Sequence, residues 1–300
     1  MNPAASSKAL CHSFRELAAW TFHKLERAKQ VGMPFNEETI TESLLLKLAE
    51  RHGGRELKIK AYTKREEGTG TKDTGGKPTG ADWSFWFADH HGYGVEVRIQ
   101  AKRLYPSGRY GNLNGNGKQI QTLRKNCGTA IPLYVFYNGP FVSPACRKRI
   151  LGDYWNRSCH GCLHRPLNGE DWGCSFAPIS AIPKNGNPFP EDIHGMRPWH
   201  CLVCACYTGS CSSAASLPQR VSSALENIYG GTAQKTDDRF SGAPDISFEL
   251  RPNAPEWVAK LMVLTEDDLT PADEALEAIL DEHGLRGVAV LRELEPRDGG

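Results

Sequence analysis

No stretch of this 300-residue sequence approaches the roughly 20 consecutive apolar residues that a helix needs to cross a bilayer. The opening segment, MNPAASSKALCHSF, has no apolar run of the length a secretory signal requires. From these two absences we expect a cytoplasmic protein with no membrane partner. In that reducing setting the ten cysteines point to metal ligation or burial rather than a disulfide framework. The hydrophobic share is low, at 39%, and thirty glycines with nineteen prolines imply many loops. No internal repeat is visible. Acid is the most unevenly distributed commodity. Between Glu96 and Asp153 there is not one acidic residue, while ten basic residues fall in that span. From Glu256 to Gly300 the balance reverses and acids dominate. A charge run by itself is ordinarily a solvated face. Beside a reactive site, an acid-free basic region suits a polyanion such as nucleic acid.

What is present is organised around ADWSFWFADHHGYGVEVRIQAK, residues 81–102. This stretch predicts two β-strands joined by a tight turn at His91-Gly92. In the second strand Val95, Val97, Ile99 and Ala101 alternate with Glu96, Arg98, Gln100 and Lys102. The apolar side is pinned to a core, and the opposite side carries a row of groups suited to chemistry. Asp82 opens the first strand beside that row.

Upstream, Ser13 to Arg27 predicts an amphipathic helix, and Asn36 is a good N-cap for a second helix from Glu37 to about Arg51. The apolar face of that second helix is Ile40, Leu44, Leu45 and Leu48; Glu38 and Glu42, four apart, share one of its sides. Leu57 to Lys64 alternates as a strand. After the hairpin come a loop, a helix from about Lys118 to Asn126, and a buried strand, Ile131 to Tyr137. Helix, three strands, helix, strand predicts an α/β (α+β) mixed sheet with helices packed on it. Residues 1–34 are expected to add a helix to a core over 35–140. Residues 141–215 form a cysteine-rich region, and 216–300 a C-terminal α/β extension with helices at 217–229 and 270–284 and strands at 245–250 and 287–294.

These residues, in this order of elements, resemble the restriction-endonuclease-like superfamily known as PD-(D/E)XK nucleases, over about residues 36–138. The similarity is to the Mrr-like branch, which carries Gln-x-Lys in place of Asp/Glu-x-Lys, and to an uncharacterised bacterial family placed in the superfamily. The resemblance implies a restriction-endonuclease-like αβββαβ core. Its site would be built from Glu38 or Glu42, Asp82, Gln100 and Lys102, with Gln119 or Gln121 on the following helix. Ala81 stands where the pattern has Pro. The activity implied is Mg²⁺- or Mn²⁺-dependent phosphodiester hydrolysis, of DNA ahead of RNA, with bacterial defence as a context and a homodimer as a possible assembly.

Such chemistry needs a nucleophilic water and countercharge on the phosphate. Mg²⁺ supplies both when held by one or two carboxylates. Asp82 would be the principal ligand, Glu38 or Glu42 a direct or water-mediated one, and Gln100 a weaker carbonyl ligand. Lys102 would orient or activate the water. Arg98, Arg103, Arg109, Lys118, Arg124 and Lys125 would hold backbone phosphates. Taken singly, Asp82 reads as a turn residue and Lys102 as a solvated one; the order of elements gives them weight. Glu96-Val-Arg98 competes on the same strand face but lacks the lysine. Pro244-Asp245 with Glu249 leaves no room for a strand, turn and strand. GNLNGNGK fails the GxxxxGK[ST] phosphate-loop pattern at Asn112 and Gln119.

Cys159-x-x-Cys162 and Cys201-x-x-Cys204 have the spacing that puts two thiolates on one metal, and are expected to bind a structural Zn²⁺. Cys174, His160, His164, His200, Cys206 and Cys211 are substitutes. The competing reading is buried thiols packed beside Trp172, Phe176 and Trp199; Cys127 and Cys146 read as core. For the whole chain, the competing reading is a non-catalytic nucleic-acid- or protein-binding module that keeps the nuclease fold.

Overall fold

The computed structural model describes residues 3–54, 57–63, 80–111, 113, 118–140, 169–183, 186–204, 215–232, 246–264 and 271–295. In chain order its elements are α1 (Pro3–Gln30), α2 (Glu37–His52), β1 (Leu57–Thr63), β2 (Trp83–Ala88), β3 (Gly94–Arg103), α3 (Lys118–Asn126) and β4 (Ile131–Tyr137). There follow β5 (Cys174–Pro178), β6 (Arg197–Pro198), α4 (Leu217–Thr232), α5 (Glu256–Val263), α6 (Pro271–Glu282) and β7 (Gly287–Glu293). The fold is mixed α/β, with a seven-stranded sheet in the order β1-β7-β2-β3-β4-β5-β6 and six helices among the described residues.

The β2–β3 hairpin forms where the sequence places it. Asp89 closes the turn by accepting the Tyr93 N–H on its carboxylate (3.0 Å), and Gly92 takes φ +94°, a conformation that favours glycine. β2 and β3 are antiparallel, and β3 and β4 are parallel with α3 as the crossover. The last strand, β7, does not stand apart from the core. It inserts between β1 and β2, antiparallel to the first and parallel to the second. Residues 246–250 form no ladder; beyond them Arg251 exchanges two backbone hydrogen bonds with Gly94 (3.0 and 2.8 Å).

Both faces of the sheet are covered. On one, Val95, Val97, Ile99 and Ala101 pack with α1, α2 and α4 through Phe14, Leu44, Leu48 and Val221. On the other, Trp86, Tyr134, Phe136, Val288 and Val290 pack beneath α3, α5 and α6 through Leu123, Trp257 and Leu280. The polar side of β3 is therefore not an open row. Glu96, Arg98 and Gln100 are all buried, and only the end of the strand, at Lys102, reaches partial exposure. Such burial of polar groups is tolerated only with partners. Glu96 accepts from Ser84 Oγ (2.6 Å), from Arg251 Nη2 (3.1 Å) and from the Trp257 indole (3.4 Å).

α1 is tied to the rest by a buried bidentate pair. Arg15 donates from Nε and Nη2 to the two carboxylate oxygens of Asp171 at 3.0 and 2.7 Å, with both side chains almost fully enclosed.

Candidate functional site

Continuing the β2–β3 register one step beyond Trp83 opposite Ile99 brings Asp82 level with Gln100. The Asp82 N–H donates to the Ile99 carbonyl at 2.8 Å, so the aspartate is held as an extra rung of the ladder. Its carboxylate Oδ2 accepts the Ala101 N–H at 2.9 Å and a short hydrogen bond from Gln100 Nε2. Gln100 Oε1 in turn accepts from Gln119 Nε2 at 2.6 Å. The result is a directed chain, Gln119 to Gln100 to Asp82, that fixes the carboxylate from behind.

α3 brings Gln119 there because Gly80 lets the helix approach. A Cβ on Gly80 would lie 2.7 Å from the Gln119 carbonyl and 2.8 Å from the Leu123 nitrogen, and φ there is +73°. Gln121, the other glutamine considered, is exposed.

The second carboxylate comes from the start of α2, and it is Glu37. Its Oε1 accepts the Arg103 N–H at 3.1 Å, and its charge acts on both Asp82 and Lys102. Glu38 lies one step round the helix and pairs with Arg286. Glu42 points away into solvent. Neither Glu37 nor Arg286 is among the residues expected from sequence. Glu37 did carry a signal: it lies seven residues before Leu44 and eleven before Leu48, on the buried side of its own helix. Arg286, just before β7, had none.

Arg286 reaches the mouth of the cluster from the far end of the chain. Its own N–H and that of Gly287 both donate to the Asp82 carbonyl, at 2.8 and 3.2 Å. Its guanidinium pairs with Glu38 and brings Nε to 4.0 Å from Asp82 Oδ1.

Burial raises the Asp82 carboxyl to about 6; the Ala101 N–H and Lys102 pull it down and Glu37 pushes it up. Burial lowers the Lys102 ammonium from its ordinary value, opposed by Asp82 and Glu37. An acid pushed up and an ammonium pushed down at one mouth mark the place where this fold holds charge at a cost, as reactive sites do.

The basic residues part company. Arg98, expected to hold phosphate, is buried beneath α3, with Nη1 on the Asn126 carbonyl (2.6 Å) and Nε 3.7 Å from Glu96. Arg103 donates to the Phe35 carbonyl at 3.0 Å and lies over the Tyr105 ring. Arg109 donates to the Asn187 carbonyl (2.9 Å) over Phe189. Lys118 and Lys125 on α3 are exposed, and Arg124 is half-buried.

Cys159 and Cys162 lie outside the described residues, as do Cys146, His160, His164, Cys206 and Cys211. Cys201 and Cys204 are buried against α1 and α4, and His200 is buried beside them. Cys174 lies in β5, its thiol 3.2 Å from Thr21 Oγ1 and pushed up by burial. Among the described residues no three His, Cys, Asp or Glu side chains come together as a metal-holding group. Two carboxylates, Glu37 and Asp82, with the Gln100 amide beside them, are the hard oxygen donors that the mouth offers.

No curated protein and no solved structure matches the chain. A family model, described as "Family of unknown function (DUF6615)", matches residues 10–297. With nearly its whole length so matched, the chain belongs to the DUF6615 family.

Proposed function

We propose that this protein is a metal-dependent nuclease with a restriction-endonuclease-like core, cleaving DNA in preference to RNA. The observation that carries the reading is the convergence of Glu37, Asp82, Gln100, Lys102 and Gln119 on one end of the β2–β3 hairpin. These residues arrive from four elements in the order helix, strand, strand, helix.

The donor set suits a small, hard cation. Mg²⁺ and Mn²⁺ take oxygen ligands, keep several waters, and are held by one or two carboxylates plus a substrate phosphate. Asp82 is fixed through Oδ2, which leaves Oδ1 at the mouth where the Arg286 cation already approaches it. Asp82 and Glu37 would hold the ion, and Gln100 joins them only when its amide turns to present oxygen. When bound, the ion supplies a more acidic water and countercharge for the phosphate. Lys102, close to both carboxylates, orients that water and offsets charge developing on the phosphate. Gln119 keeps Gln100 against Asp82. Lys118 and Lys125 on the exposed side of α3 attract the polyanion.

A second reading is a binding module with the same fold and no catalysis. It is favoured by the hydrogen bonds at Gln100, whose nitrogen faces Asp82 and whose oxygen is taken by Gln119.

Cleavage of duplex DNA, single-stranded DNA and RNA in Mg²⁺ or Mn²⁺ separates the two. Wild type is compared with Asp82→Ala and Lys102→Ala, each checked for folding. The nuclease reading expects metal-dependent products that disappear in both variants. Products that persist in both, or no cleavage of any substrate while nucleic acid still binds, would remove it.

A further inference from the structure

The cation at the mouth of the carboxylate cluster comes from the residue just before the last strand. We propose that Arg286, paired with Glu38, is the phosphate-contacting residue of this site, and that its guanidinium competes with a divalent cation for Asp82. The inference rests on the metal-dependent reading above and adds to it a residue from outside the sequence pattern.

Three observations support it. First, the Arg286 backbone is locked to the site. Its N–H and that of Gly287 share the Asp82 carbonyl as acceptor, so the Cα cannot drift from the carboxylate that anchors the cluster. Second, the guanidinium stands against two carboxylates at once, paired with Glu38 and with Nε 4.0 Å from Asp82 Oδ1. Any divalent cation that binds Asp82 through Oδ1 must share that space with a positive charge. Third, the Arg286 side chain is 53% exposed. A guanidinium carries five N–H donors in a planar fork, and a salt bridge to one carboxylate uses at most two. On a side chain this exposed the others are within reach of solvent, and a phosphate can accept two of them in parallel.

The other arginines on this side are committed elsewhere. Arg98 is held by Glu96 and the Asn126 carbonyl, and Arg103 by the Phe35 carbonyl and the Tyr105 ring. Lys102 is half-buried and turned to the carboxylates. Arg286 is thus the cation that can leave its carboxylate for a phosphate without uncovering a buried charge. The exchange is balanced: the ion takes over Asp82, and the released guanidinium takes over a phosphate oxygen pair.

Two binding measurements on the full chain test this, neither of which needs turnover. Calorimetric titration with Mn²⁺ compares wild type, Arg286→Gln, Arg286→Lys and Asp82→Asn. Anisotropy of a labelled DNA oligonucleotide, single-stranded or duplex, is then measured in Ca²⁺ for the wild type and the two Arg286 variants. Arg286→Gln is expected to bind Mn²⁺ about tenfold more tightly, because a charge near 4 Å has been removed, and the oligonucleotide about tenfold more weakly. Arg286→Lys keeps the charge but not the fork, so its oligonucleotide affinity recovers only in part. The substitution leaves the backbone bonds to Asp82 intact, and a thermal melt checks this. An Arg286→Gln protein with wild-type affinity for either probe overturns the proposal. If Asp82→Asn abolishes Mn²⁺ binding while Arg286→Gln behaves as wild type, the role of Arg286 alone falls. If Asp82→Asn binds Mn²⁺ as wild type does, the metal-site reading falls with it.

Discussion

A carboxylate kept in a partly closed site at the expense of stability should reveal itself when it is neutralised. Asp82 is the place to look, because burial raises its carboxyl from 3.8 to about 6. In the unfolded chain the group ionises near its ordinary value, so between about pH 4 and 6 the folded state holds a proton that the unfolded state has lost. Stability then falls as pH rises through that window and levels off above the folded value. The full difference corresponds to about 3 kcal/mol. One fifth of the side chain is exposed, so solvent screening brings the expected figure to about 2 kcal/mol. Asp82→Asn removes the titration while keeping an acceptor for the Ala101 N–H. Urea unfolding of wild type and Asp82→Asn, from pH 3.5 to 8 in a chelator, is the assay. The variant is expected to gain about 2 kcal/mol on the wild type between pH 4 and 7, whatever constant offset its altered hydrogen bonds introduce. Saturating Mg²⁺ should reverse the order: at a hundredfold excess over Kd it stabilises a binding protein by about 2.7 kcal/mol and leaves the variant untouched. A difference between the two proteins that stays flat from pH 4 to 7 would refute the reasoning, since the raised carboxyl of Asp82, chiefly from burial, is what makes it slope.

Three further expectations follow from particular contacts. Glu37→Gln should cut metal-dependent cleavage by about tenfold or more, and Glu42→Gln should leave it unchanged, since only the first faces Asp82 and Lys102; rates at fixed Mg²⁺ decide. Gly80→Ala should cost about 2–4 kcal/mol in urea unfolding, because a Cβ meets the backbone of α3 and the residue has positive φ. The same change should loosen Gln119 and lower cleavage. Arg15→Ala should destabilise by about 3–5 kcal/mol by removing the bidentate counter-ion of buried Asp171, and Arg15→Ala with Asp171→Ala should recover part of that loss, as a double-mutant cycle would measure.

The parts of this fold that follow from nearest neighbours in sequence were legible. The β3 alternation names the residues of one core face correctly, and Asp89 to Tyr93 closes the hairpin where Gly92 permits it. Helix starts at Asn36-Glu37 and Pro271 were readable from their caps. What alternation does not tell is whether the polar side is covered. Polar residues at period two mark a solvent face only when nothing covers them. Here α3, α5 and α6 cover them, and the partners that make burial tolerable, Ser84, Arg251 and Trp257, lie 12 to 161 residues from Glu96. Local pattern carries no trace of such partners.

The same limit explains the site. Asp82, Gln100 and Gln119 are near in sequence and near in space, so a local motif finds them. Glu37 needed only a more careful phase. The helix repeats its buried face at Ile40, Leu44 and Leu48, and stepping back from Leu44 by seven reaches Glu37, whereas Glu42 falls on the side of exposed Leu46. Arg286 is of another kind. Its position depends on β7 leaving the end of the chain to enter between β1 and β2, where Trp83 meets Gly287 and both Arg286 and Gly287 bind the Asp82 carbonyl. A strand inserted at that point carries the residue before it to the start of β2, which is where Asp82 stands. The C-terminal segment therefore completes the mouth of the site as a consequence of sheet order. Deleting β7 would unseat a cation from the cluster as well as take a strand from the core.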